Sequence, residues 1–198
     1  QEYRYMRGGK PFVPYGVAEY WDSASNTLHW VNQANFSNSN PVDAFDFPLR
    51  ELLKDRYALR LQERPGGKAL APAKAGEEVV RADIADLDSM RDAVRGVDAV
   101  IHLAASSAVS TPWEDALQNN IVGIYNVLEA MRLEGVRRMV FATTNHVTGY
   151  NEIKGRPCYP DMPVRPDGFY GASKAFGEAL SRFYVDEHGL EVICLRIG

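Results

Sequence analysis

The sequence predicts a doubly wound α/β sheet with parallel strands, incomplete and preceded by an atypical N-terminal segment, and three observations carry that prediction. From Phe47 onward, strand-like and helix-like stretches alternate, the rhythm of α/β layers. One strand-like stretch, VDAVIHLAA at 97–105, is a nearly continuous apolar run of the kind buried on both faces of a parallel sheet. The helical stretches close on glycines, as helices that turn back toward a sheet commonly do. Crossovers in such sheets are right-handed, and ligands bind beyond the carboxyl ends of the strands. Functional residues are therefore expected just after each strand.

Each element follows from its local pattern. DFPLRELLKDR predicts a short helix with Asp46 as N-cap and Pro48 in the first turn. YALRLQE alternates like a strand, RPGGKALAPAKAGEE reads as a loop, and VVRADI as a second strand. DLDSMRDAVRG predicts a helix closed by Gly96, and 97–105 the buried strand. In TPWEDALQNNIVGIYNVLEAMRLEG, the residues Trp113, Leu117, Ile121, Ile124, Leu128 and Met131 recur at helical spacing, which predicts one long amphipathic helix ending at Gly135. RRMVFATT is a strand, PDGFYGASKAFGEALSRFYVDEHG a helix and EVICLRIG a final strand. Residues 1–46 stand outside this rhythm, being rich in Asn, Ser and aromatics, with TLHWVN as a strand. The boundary is expected near Asp46, with 1–46 as one segment and 47–198 as one α/β domain.

Composition narrows the function classes. The chain has 198 residues, enough for one sizeable core. Its formal charge of −4, with 22 basic and 26 acidic residues interspersed, argues against a nucleic-acid surface, which needs clustered Lys and Arg. No apolar run approaches the roughly 18 residues of a membrane span. Cys158 and Cys194 stand in no metal-ligand spacing, so a reduced, cytoplasmic chain without a metal site is expected.

The chemistry-bearing stretch is YGASK at 170–174. Oxidising an alcohol by hydride loss requires a base for the hydroxyl proton, and a tyrosine of pKa near 10 is a poor one at neutral pH. A lysine four residues later shares its helical face and favours the phenolate electrostatically. A nearby hydroxyl from FATTNH completes the set with Tyr170 and Lys174. A second Tyr-x-x-x-Lys, YNEIK at 150–154, precedes KGRPCYP and is expected in a loop, where the spacing ensures no shared face. His102 is expected to be a packed core residue.

HLAA at 102–105, FATTNHVTGY, YGASK and LRIG resemble, in order and spacing, the extended short-chain dehydrogenases of the NAD-dependent epimerase/dehydratase family. STPWEDALQNNIVGIYNVLEA, TTNH and RPDGFYGASKAFGE are most similar to its uronate-dehydrogenase-like members, over about residues 49–198. The resemblance implies a Rossmann-like fold, NAD as cofactor and oxidation of a sugar or sugar acid. It implies catalytic roles for Tyr170, Lys174 and Thr144. It implies cofactor contacts for Glu63, Asp83, Ile84, Leu103, Ala104, Ala105 and Asn120 as well as Tyr170 and Lys174, and substrate contacts for Ser107, Thr143, Asn145 and His146. Glu63, at a strand end, stands where an acidic residue accepts the ribose hydroxyls of NAD. The resemblance further implies a homodimer through helices 113–133 and 168–187, and a substrate-capping region beyond the last strand, before which this domain is expected to be truncated.

The chain departs from that pattern in its first part. The family's first strand runs into a glycine-rich turn that lets pyrophosphate rest on backbone amides. Here Gln33 to Arg50 contains no glycine, and Asp46 near the helix start would repel phosphate. Residues 11–32, with WDSASNTLHWVN, instead weakly resemble the opening strands of SMP-30/gluconolactonase-like propellers. Two accounts are open, a chimeric or mis-joined fragment, or a replacement in which TLHWVN at 27–32 takes the place of the first strand and pairs parallel with 97–103. Three functions follow: a dehydrogenase of sugars or sugar acids, a sugar-nucleotide epimerase or dehydratase, and a non-catalytic binding protein that keeps the Tyr/Lys pair as a relic. TTNHV offers no acidic residue after the threonine, which favours simple oxidation over dehydration.

Overall fold

The structure is a computed structural model. It describes the backbone of residues 6–7, 10–11, 17–22 and 27–32, and most of 49–197 apart from 51, 54, 68–72, 156–158 and 160, with the side chains of 152 and 153 also excepted. Asp46, Pro48, Cys158 and the glycine-free stretch at 33–48 lie outside the described residues.

The first segment forms two hairpins. β1 (Met6–Arg7) pairs antiparallel with β2 (Lys10–Pro11), and β3 (Val17–Asp22) with β4 (Thr27–Asn32), in register from Val17↔Asn32 to Asp22↔Thr27. Among the described residues the parallel pairing expected between 27–32 and 97–103 is not found. β4 takes its partner from the strand four residues before it, a short closure with a small entropic cost, whereas a parallel partner requires a long crossover.

The remaining elements keep the predicted order. Leu49, Arg50, Leu52 and Leu53 are helical. β5 (Leu59–Glu63) pairs parallel with β6 (Glu77–Arg81), which starts two residues before the predicted strand because the ladder with β5 begins at Leu59↔Glu77. α1 (Leu87–Val94) is capped by the Asp86 carboxylate, which accepts from the Ser89 amide, and Gly96 leaves it with φ 75°. β7 (Ala99–His102), β8 (Arg138–Thr144) and β9 (Glu191–Ile197) form a parallel sheet in the order β7-β8-β9. The long helix α2 runs over 113–134, and a short helix α3 (Gly149–Ile153) and a long α4 (Phe169–His188) follow. This is a doubly wound α/β sheet in two parallel pieces, β6-β5 and β7-β8-β9. Among the described residues no ladder joins β5 to β7, where the usual order of such sheets places the first strand.

The core lies on one face of the β7-β8-β9 sheet. Met90, Ala93 and Val94 of α1 pack with Ile124, Val127, Leu128 and Met131 of α2, over Met139 and Phe141 of β8, with Tyr184 of α4 closing the cluster. Each such large side chain contributes about 1.5–3 kcal/mol by leaving water. The opposite face is less covered. Ile101, expected to be buried within its apolar run, is 42 % exposed, and Ile193 and Leu195 on β9 are exposed beside it in sequence phase.

In α2 the predicted stripe changes phase. The stretch Ala116–Val122 is π-helical, inserting extra residues into the turn. Each residue of a helix advances about 100°, so an insertion swings the preceding positions off the core face. Trp113 is accordingly exposed and Leu117 and Ile121 only half-buried, while Ala116 and Asn120 turn inward.

Arg50 anchors the helical turn at 49–53 to the sheet. Its guanidinium donates to both carboxylate oxygens of Glu77, with Nε 2.7 Å from Oε1. Those hydrogen bonds outweigh the opposing effect of burial and hold the Glu77 carboxyl at about 2. A carboxyl lowered in the folded state stabilises fully above its unfolded value, near 4.5, and loses that contribution as pH falls toward about 2. Glu77→Gln is therefore expected to destabilise the chain at neutral pH and to flatten the acid limb of its urea-midpoint profile over that window.

Candidate active site

The site gathers where β8 ends and α4 begins. Thr144 closes β8 and serves as N-cap of the 3₁₀ turn Asn145–Val147. Its hydroxyl accepts from the His146 amide at 3.2 Å and donates to the Asn145 side-chain oxygen at 3.2 Å. Gly168, in extended backbone, precedes α4 and places Tyr170 in the first turn, with Lys174 one turn later. Gly171 lets this helix approach the turn, because a Cβ there would overlap the His146 carbonyl. Tyr170 thereby comes near enough to the Thr144 hydroxyl for the two to interact.

Burial dominates the electrostatics. It raises the Tyr170 phenol, against the smaller opposing influence of the neighbouring Thr144 hydroxyl. Lys174 is 3 % exposed, and burial lowers its ammonium to about 8. Its Nζ donates to the Ala142 carbonyl at 2.8 Å and lies 4.7 Å from the Phe141 ring centroid and 5.9 Å from that of Tyr170. A buried ammonium carries three donors, and Ala142 is its one hydrogen-bond acceptor among the described residues. Donors remain for a polar ligand placed beside it.

The residues matched to a cofactor lie after successive strands. Glu63 ends β5, its carboxylate 3.3 Å from Arg81 Nε on β6. Asp83 follows β6 and accepts from the Ala85 amide at 2.9 Å, and Ile84 packs against Gly123 of α2. Leu103, Ala104, Ala105 and Ser107 follow β7, all half-buried. Asn120, turned inward by the π-helical stretch, accepts from the Ser106 amide at 2.7 Å and donates to Ser173 Oγ at 2.9 Å. It ties the loop after β7 to the helix carrying Tyr170.

The remaining predicted residues divide. Asn145 and His146 stand with Thr144 and Tyr170, the imidazole edge-on to the phenol ring with centroids 6.1 Å apart. Thr143 points the other way, as alternation along a strand requires, and its hydroxyl donates to Glu178 at 2.8 Å. His102 is buried, stacked on Phe141 at 5.6 Å, and burial lowers its imidazole to about 3, so it is a neutral core residue. Tyr150, expected in a loop, lies in α3, where its amide donates to the Arg165 carbonyl; Lys154 follows in the turn beyond. Gly155, with φ 64°, follows that helix without preventing its first turn. Sequence reasoning missed Ser106, Ser173, Glu178 and Asp167, which engage Asn120, Thr143 and His146. Ser173, inside YGASK and on the same turn as Tyr170, was the most accessible of the four. No helix among the described residues is long and apolar enough to cross a membrane.

Known proteins resemble this chain over most of its α/β part. The model of the NAD dependent epimerase/dehydratase family matches residues 49–198. A uronate dehydrogenase of Agrobacterium fabrum is 47 % identical over 121 residues, which cover 61 % of this chain and 45 % of that protein. A uronate dehydrogenase of Pseudomonas syringae pv. tomato is 40 % identical over 152 residues, 76 % of this chain and 54 % of that one. Among solved structures, a point mutant of the uronate dehydrogenase from Agrobacterium tumefaciens, complexed with NAD, superposes with a TM-score of 0.64 at 38 % identity, covering 74 % of this chain and 54 % of the other. The chain spans about half the length of the curated relatives it matches.

Proposed function

The chain belongs to the NAD dependent epimerase/dehydratase family, and on that premise we propose that it carries the proton-handling half of an NAD-dependent dehydrogenase acting on a sugar or sugar acid. The observation that carries the reading is the Thr144–Tyr170–Lys174 set at the carboxyl end of β8, where alternation of strand and helix places a ligand. NAD fits the unmatched donors of Lys174, whose buried ammonium suits ribose hydroxyls, and the small Ala104 and Ala105 after β7 leave room for a planar ring. Glu63 would accept from the adenosine ribose, and Asp83 and Ile84 would border the adenine. Bound NAD supplies the hydride acceptor.

The chain's own residues manage the proton. The Tyr170 phenolate takes the proton of the substrate hydroxyl, Thr144 orients that oxygen by hydrogen bonding, and the Lys174 ammonium, present below about pH 8, favours the phenolate through its charge. Asn145 and His146 border the same space and contact the substrate. The names of the relatives favour a uronic acid among sugar substrates.

A non-catalytic reading is favoured by one observation, the absence of any glycine in Gln33 to Arg50. Losing backbone amides to pyrophosphate removes several charge-assisted hydrogen bonds of about 1.5–3 kcal/mol each, which carries a micromolar dissociation constant toward millimolar. Calorimetric titration with NAD separates the two, followed by NADH formation from galacturonate and glucuronate. Saturable binding with uronate-dependent NADH supports the dehydrogenase, and no heat at millimolar NAD rejects it for this chain.

We also infer self-association through α2 and α4. Trp113, Tyr125 and Leu133 on α2 and Phe169, Phe176 and Phe183 on α4 are all more than 40 % exposed or at that level, an apolar population larger than scattered surface residues provide. Sedimentation velocity is expected to give a dimer, and Phe176→Asp with Phe183→Asp a monomer. A wild-type monomer at tens of micromolar rejects this interface.

A further inference from the structure

His146 does not stand alone beside Tyr170. Its Nδ1 lies 2.9 and 3.0 Å from the two carboxylate oxygens of Asp167, and both side chains are largely withdrawn from solvent, at 27 % and 12 % exposure. The local backbone is built around this pair. The Arg165 amide donates to the Val147 carbonyl at 2.7 Å and the Tyr150 amide to the Arg165 carbonyl at 3.1 Å, latching the segment before α4 against the turn that carries His146. Two glycines make the remaining room. A Cβ on Gly149 would overlap the Asp167 carboxylate, and one on Gly171 the His146 carbonyl. Neither glycine has a left-handed backbone, so it is the missing side chain that the site uses.

Asp167 also precedes the N-terminus of α4, where a carboxylate could serve the helix. No side chain caps this helix, and both Asp167 oxygens face the imidazole instead. A carboxylate accepts and cannot donate, so the imidazole nitrogen facing it is the one that carries hydrogen. The other nitrogen of a neutral ring then becomes an acceptor, the arrangement in which a carboxylate sets a histidine tautomer. Among the described residues Nε2 has no hydrogen-bond partner, and the ring stands edge-on to Tyr170.

We propose that Asp167 is a positioning residue: its carboxylate accepts the Nδ1–H of His146, holds the ring as the Nδ1–H tautomer, and leaves Nε2 to accept a hydroxyl of the sugar or sugar-acid substrate beside Tyr170. The ligand named here rests on the dehydrogenase reading above, whereas the tautomer does not. A purely structural carboxylate would leave the tautomer and the ligand's hydroxyl preference untouched.

The test is ¹⁵N NMR of the full chain labelled at histidine, recorded above the ordinary titration range of imidazole. Four histidines contribute, and His146→Gln assigns the signal of interest. The expected result is a protonated Nδ1 and an unprotonated Nε2 in the wild type, with Asp167→Ala moving the ring toward the Nε2–H form. A wild-type His146 in the Nε2–H form overturns the proposal without recourse to any variant, and an unchanged tautomer in Asp167→Ala overturns the part given to Asp167. In kinetics with NAD and glucuronate, Asp167→Ala is expected to raise KM about tenfold, the loss of one hydrogen bond, with kcat changed far less. An unchanged KM overturns the ligand contact. If the wild type oxidises no sugar acid, the dehydrogenase reading and the ligand fall together, and the tautomer still decides what Asp167 does.

Discussion

Tyr170→Phe is expected to lower kcat for NADH formation from a uronic acid by about 10²–10⁴-fold, the range over which a positioned general acid or base acts. The phenol is the group in the cluster able to take the substrate proton, because Thr144 is a hydroxyl of far higher pKa and Lys174 already donates to the Ala142 carbonyl. Phenylalanine keeps the ring, its edge contact with His146 and its place in the first turn of α4. Binding of NAD should therefore change little, and the effect should fall on kcat and kcat/KM together, as for an interaction made in the transition state. Stopped-flow absorbance at the NADH band, with calorimetric NAD affinity on the same protein, measures both. A variant within tenfold of wild type removes Tyr170 from proton transfer.

The largest effect on stability is expected from Phe141→Ala, a loss of about 3–5 kcal/mol by urea denaturation. Phe141 is 1 % exposed at the centre of β8. One side meets His102 in a stack, and its ring edge meets Gly177 of α4, where an added Cβ would lie 2.7 Å from two ring carbons. Lys174 Nζ also stands over the ring. Truncation leaves a cavity bordered by a neutral histidine and a buried ammonium, which cannot collapse without moving polar groups. The same variant should raise the Lys174 pKa from about 8 toward its ordinary value as water enters, because burial is what lowers it. A loss below about 1 kcal/mol, with Lys174 unchanged, contradicts this description of the core.

Much of the frame was legible because local chemistry wrote it. Asp86 and Gly96 bound α1, Gly135 and Gly189 end α2 and α4 with positive φ, the alternation of LRLQE became β5, and stretches carrying β-branched residues became β6, β7, β8 and β9. The placement of Tyr170 and Lys174 on one helical face beside a threonine was legible for the same reason, since spacing within a single helix needs no tertiary information. What the pattern could not reveal depends on competition between distant partners. TLHWVN has the alternation of a strand, and alternation is silent about which strand it joins; the nearer hairpin partner took it. The π-helical stretch in α2 is invisible to a 3.6-residue periodicity, and it is what turns Asn120 toward Ser106 and Ser173 and Trp113 toward solvent.

By itself the sequence determined the order of elements, the direction of the sheet, the family, and the pair of residues able to move a proton, since each rests on local spacing or on motifs read in order. Only the tertiary structure decided that Thr143 turns to Glu178, that Asn120 ties Ser106 to Ser173, and that Asp167 reaches His146 through the space two glycines leave. Those outcomes depend on which groups exclude water and which atoms approach within a hydrogen bond, and residues 21 positions apart acquire such a relation only when the chain between them has folded.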